Sequence, residues 1–110
     1  MPWLLRDGDV LATAEVATSF RARLVGLLGR DSIEGAIVLR PARSVHTIGM
    51  RFPIDVAFCD RELRVVATCT PMRPHRLGAP RRRAKVVIEA QAGAFDRWRL
   101  RPGDQLELRE

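Results

Sequence analysis

Tyrosine is missing from this chain, lysine occurs once, cysteine twice, and no apolar run is long. Each shortage excludes something. Two cysteines cannot build a disulfide framework, and neither has the Cys-x-x-Cys partner of a redox motif or a zinc site. Without a stretch of roughly 20 apolar residues there is no candidate for a membrane-spanning helix. The N-terminal MPWLLRDGDV meets charge after three apolar residues, so it lacks the apolar core and small-residue cleavage site of a secretory signal. The location expected is cytoplasmic.

With 46% apolar and 29% charged residues, the composition is that of a globular protein rather than a disordered one. A length of 110 residues is expected to form a single domain over 1–110. A core of that size folds without a structural metal. The net charge of +6 invites comparison with nucleic-acid binders, but eighteen of the nineteen basic residues are arginine, with Lys85 the exception, and they are spread through nearly every segment. A diffuse excess predicts solubility and weak, salt-sensitive attraction to polyanions.

The order of elements follows from period and punctuation. Asp7-Gly8 is a two-residue hairpin signal, because both turn positions need positive φ. In the strand after it, Val10, Ala12, Ala14 and Val16 alternate with Leu11, Thr13 and Glu15. Thr18 or Ser19 is expected to cap a helix over roughly Phe20 to Leu28, where Phe20, Leu24, Leu27 and Leu28 form one apolar stripe and Gly29 ends the element. Ala36 to Leu39 is a short apolar run. A hairpin is predicted from about Ile54 to Thr70, with DRELR as its turn. Pro71 to Arg83 reads as a loop, AKVVIEAQ as a strand, Gly93 to Trp98 as a helical turn, and Gln105 to Arg109 as a last strand.

Six to eight short strands with one main helix predict a β-dominated α+β domain, a small curled antiparallel or mixed sheet or partial barrel with the helix over one opening. A turn at Glu62-Leu63 would set Cys69 opposite Val56 and Cys59 opposite Val66. The two sulfurs then lie on opposite faces, about 10 Å apart along the strands. Both are therefore expected to be buried free thiols.

HTIGMRFPIDVAFCD, preceded by GLLGR and followed by VIEAQAG and RPGDQLEL, resembles the domain of unknown function 192 family over about Val16 to Leu108. The residues that carry the likeness are Gly26-Leu27, Arg30, His46-Thr47, Met50, Pro53-Ile54-Asp55, Phe58, Glu89, Gly93 and Gly103-Asp104. The resemblance implies a small strand-rich fold, in a family whose members are often exported. It implies no activity.

Within that pattern His46, Met50, Asp55 and Glu89 stand out as polar or soft side chains among apolar or backbone-restricting neighbours, and Arg30 joins them as a binding candidate. If distant segments bring His46, Asp55 and Glu89 together, a carboxylate-oriented imidazole could serve acid–base chemistry. Against this, Asp and His in such settings commonly bond local backbone, and no serine or activated thiol completes a nucleophilic set. A metal held by His46, Asp55 and Glu89, or copper(I) by His46 and Met50, has no supporting ligand spacing. No metal or cofactor is assigned.

Arg73, Arg76, Arg81, Arg82, Arg83 and Lys85, with His75, form a basic loop without the aromatics that single-strand binders interleave, which makes nucleic acid an unfavoured partner. The reading preferred from sequence is a small binding module with a groove near His46, Asp55 and Glu89, for a small ligand or a peptide. A hydrolase-like or metal-dependent enzyme using the same residues is the alternative, and polyanion binding by the Arg73 to Lys85 loop a weaker one. Oligomeric state is left open.

Overall fold

The computed structural model describes residues 2–18 and 31–110. The helix expected over roughly Phe20 to Leu28, and the candidate Arg30, lie outside these residues. Among the described residues there are seven strands: β1 (Trp3–Arg6), β2 (Asp9–Ala17), β3 (Ala36–Leu39), β4 (Ile54–Cys59), β5 (Val65–Met72), β6 (Val86–Gln91) and β7 (Leu106–Arg109). One short helix, α1 (Ala94–Trp98), separates the last two.

All seven strands join one sheet in the order β5-β4-β6-β3-β2-β1-β7. The sheet is mixed, since β2 and β3 run parallel while the remaining pairs are antiparallel. It begins with a tight hairpin in which Asp7 and Gly8 have φ of 54° and 83°, the left-handed geometry that a two-residue turn demands. The sheet does not close, yet its two edges approach. Leu106 N–H donates to the Leu63 carbonyl at 3.0 Å and Val65 N–H to that of Asp104 at 2.9 Å, so the chain entering β7 meets the chain entering β5.

Alternation along the central strands produces two cores, one on each face of the sheet. One face, termed the inner one, carries Leu4, Val38, Ala57, Cys59, Val65 and Ile88, and α1 adds Phe95 to it. The outer face carries Ile37, Val56, Phe58 and Val87, covered by Val45, Met50, Phe52 and Met72. All six residues of β4 are buried, and in β6 all but Gln91, because both faces of these strands are covered. That explains why their sequences read as continuous apolar runs with a single carboxylate in each.

Cys69 pairs with Val56 as expected, but a register shift between Phe58 and Cys59 sets Cys59 opposite Val65 rather than Val66. The shift accompanies the turn actually used. Asp60 Oδ1 accepts from the N–H groups of Glu62 (3.0 Å) and Arg64 (2.9 Å), and Leu63 takes a left-handed φ of 68°. Both cysteines are free; Cys59 is buried, whereas Cys69, on an edge strand, is only partly covered. Burial, with Asp60 beside it, pushes the Cys59 thiol up to about 12.

Beyond β5 the chain runs antiparallel to the segment after β3, forming a ladder outside the sheet. Gly78 N–H donates to the Val45 carbonyl (2.8 Å), Thr47 N–H to that of Arg76 (2.8 Å), Arg81 N–H to that of Arg43 (2.9 Å) and Ala42 N–H to that of Lys85 (2.9 Å). His46 and Leu77 complete the pairing as a single bridge. Gly78 allows the approach, because a Cβ there would stand 2.7 Å from the Val45 carbonyl oxygen. The Pro71 to Arg83 loop is thus shorter than its composition suggested: β5 takes Pro71 and Met72 at the sheet edge, where a missing N–H is tolerated, and the remainder is backbone-paired.

Candidate functional site

Asp55 sits on β4 facing inward, 2% exposed, and its placement is explained by α1. A helix of five residues starts with unpaired N–H groups, and Gly93 at its N-cap has no side chain to meet them. The Asp55 carboxylate meets them from across the sheet. Its Oδ2 accepts from the N–H groups of Gly93 and Phe95, both at 3.0 Å. Among the described residues Oδ1 receives no hydrogen bond.

Beside this contact is a hollow of about 400 Å³. Asp55, Phe95 and Leu100 line it, together with Thr68 and Thr70 from β5 and Asp96, Arg99 and Arg101 from α1 and its exit. Arg99 enters the left-handed region at φ 54°, which ends the helix and lets the chain turn back along the hollow. The site therefore offers a buried carboxylate, a second carboxylate, two hydroxyls and two guanidinium groups.

Glu89 is elsewhere. It lies on β6 between Ile37 of β3 and Val56 of β4, and those partners belong to the outer core, whereas Asp55 pairs with Ala90 of the inner one. The two carboxylates thus project from opposite faces. Glu89 is 4% exposed and has no hydrogen-bond partner among the described residues, and burial pushes its carboxyl up to about 7. Among those residues every fully enclosed side-chain nitrogen or oxygen is paired, so the Glu89 oxygens keep a sliver of contact with water.

His46 is exposed on the loop ladder, and Met50 is core at 5% exposure. The expectation that His46, Asp55 and Glu89 face one groove is corrected accordingly: strand alternation sends the carboxylates to different faces and the ladder carries the imidazole outward. Among the described residues, no three His, Cys, Asp or Glu side chains are grouped to hold a metal ion. Arg73, Arg76, Arg81, Arg82 and Arg83 are exposed, Lys85 is half-buried, and the Arg81 guanidinium lies 5.0 Å from the Phe58 ring centroid.

Thr47, part of the family pattern but not a candidate site residue, has a structural role that the sequence does not announce. It is fully buried, donates through Oγ1 to the Arg73 carbonyl (2.5 Å) and accepts from Arg76 N–H (2.9 Å), tying the two loops together. A threonine between histidine and isoleucine gives no local sign of this, since its partners are more than twenty residues away. Arg99 and Arg101 were likewise hidden among eighteen arginines.

Comparison with known proteins agrees with this picture and adds no chemistry to it. The family model described as "Uncharacterized ACR, COG1430", domain of unknown function 192, matches residues 4–108. A UPF0127 protein of Pyrococcus furiosus is 33% identical over 104 residues, covering 90% of this chain and 89% of the relative. Another from Pyrococcus abyssi is 32% identical over 98 residues, covering 84% and 83%. Two crystal structures share the fold, each at a TM-score of 0.80 and over 96% of this chain. One is a protein of unknown function from Novosphingobium aromaticivorans, 19% identical and covered over 82% of its length. The other is described as a putative transcription regulator from Sinorhizobium meliloti, 22% identical and covered over 90%. With the family pattern matched from β1 to β7, the chain belongs to the domain of unknown function 192 family.

Proposed function

We propose that the protein is a binding module for a small zwitterionic molecule, held in the hollow beside Asp55. The observation that carries this is the Asp55 carboxylate itself: nearly enclosed, anchored through Oδ2, with Oδ1 left to accept a hydrogen bond where the hollow is lined. Burying a carboxylate is costly unless its oxygens are engaged, so a ligand ammonium or hydroxyl there would be recognised strongly. Arg99 and Arg101 supply planar donors for a carboxylate, and the volume is that of sites for small molecules.

The enzyme alternative has less support, because the described residues that line the hollow include neither a histidine nor a cysteine. The test is calorimetric titration of the protein with free amino acids and short peptides. Millimolar or tighter binding by a zwitterion, weakened about tenfold or more by Arg101→Ala and Asp96→Asn, is the expected result. Absence of heat with every member of such a panel, or binding indifferent to both substitutions, would remove the reading.

A further inference from the structure

The loop ladder has a surface of its own, on different residues from the hollow. From 41 to 50 and from 73 to 85 the sequence holds seven basic residues, one in the first segment and six in the second, and no acidic residue. Read along the chain, Arg43 looks separate from the basic loop. The ladder from Ala42–Lys85 to Thr47–Arg76 lays the segments side by side and adds Arg43 to the six of the loop. Like charges held that closely in separate segments repel one another, and an anionic partner relieves the repulsion.

The same surface exposes aliphatic side chains. Leu77 is 78% exposed and Ile48 48%, two of the four large apolar residues that stand out into solvent among the described residues. Their exposure follows from the ladder and its end: Thr47 is turned inward and fully buried, His46 beside it faces outward with Leu77 bridged to it, and Ile48 stands on the turn that Met50 N–H closes on the Thr47 carbonyl at 3.1 Å. Aliphatic tips among arginines suit the boundary between lipid headgroups and acyl chains, where the apolar end is buried and the cations meet phosphates. Duplex or single-stranded nucleic acid would use the arginines but has no place for Leu77, and neither segment contains a phenylalanine, tyrosine or tryptophan ring, leaving only the imidazoles of His46 and His75 for a base to stack on.

We infer that the ladder formed by residues 41–50 and 73–85 docks on an anionic lipid bilayer, with Ile48 and Leu77 entering the headgroup layer and Arg43, Arg73, Arg76 and Arg81 to Arg83 meeting phosphates. Co-flotation of the full chain with vesicles tests it. The protein should rise with phosphatidylcholine vesicles that include phosphatidylglycerol and stay behind with phosphatidylcholine alone, and raised salt should release it. Replacing Arg81, Arg82 and Arg83 with glutamate should weaken association by about a hundredfold, and Ile48→Ser with Leu77→Ser by about tenfold. Circular-dichroism melting of each variant verifies the fold, and both sets of positions are exposed.

No enrichment on phosphatidylglycerol vesicles at low salt would overturn the proposal. So would unchanged vesicle binding by the serine variant, because attraction indifferent to the aliphatic tips is generic charge. A preference for duplex DNA over vesicles in direct competition would identify a nucleic-acid surface instead and would equally overturn it.

Discussion

Glu89 and Cys59 are the two side chains whose ordinary chemistry the fold alters most among the described residues. An unfolded glutamate ionises near 4.5, whereas folded Glu89 does so near 7, so the native state holds an extra proton between those values. Stability is fully present below pH 4.5 and is lost as pH rises through 7, where a charge must be kept in the outer core. The loss amounts to about 3 kcal/mol. Glu89→Gln should flatten this slope and raise the urea midpoint at pH 8 while leaving that at pH 4 almost unchanged; equal shifts at both pH values would show that Glu89 ionises normally. Cys59, with its thiol near 12 and no exposure, should resist iodoacetamide in the native protein, so that mass spectrometry finds a single adduct, on Cys69. A native adduct on Cys59 would contradict its burial.

At the scale of elements, α1 depends on Asp55. Five residues are too few for a helix to persist alone, and the carboxylate that meets the Gly93 and Phe95 N–H groups comes from β4. Asp55→Ala should cost about 2–4 kcal/mol, because it strands two donors and opens space beneath Phe95. Asp55→Asn keeps an acceptor and should cost less. The order of the two in chemical denaturation checks the claim, and equal costs would mean that packing rather than the two hydrogen bonds matters.

Local signals were the ones that could be read in advance. Asp7-Gly8 specified its turn because both positions need the same unusual φ, and the opposite facing of the cysteines followed from a period of two. The missed features are those that depend on partners distant in sequence. Nothing near Thr47 foretells Arg73 and Arg76, nothing in β2 foretells a parallel neighbour, and whether Asp55 and Glu89 share a face depends on the pairing of β4 with β6. The convergence expected of His46, Asp55 and Glu89 fails at that step, since a period of two assigns a face within one strand but not relative to its neighbours.

For the molecule as a whole, β4 and β6 belong to both cores, so neither core can come apart while the other stays intact. The chain should therefore unfold in one transition, with tryptophan emission and far-ultraviolet circular dichroism coinciding. Trp98, its ring tilted against that of Phe95 with centroids 5.6 Å apart, reports the inner core in that experiment. Separated midpoints would mean that the two faces are independent units.

The loop ladder also bears on how the protein meets proteases. Its segments hold a dense run of arginyl bonds, the kind trypsin prefers, on an exposed part of the surface. A protease must draw several residues of its substrate into an extended strand, and here the backbone is already engaged by the facing segment while Thr47 holds it from below. Resistance of these bonds to brief digestion, lost when Thr47 becomes valine, would be the signature of a charged fringe that is folded rather than loose.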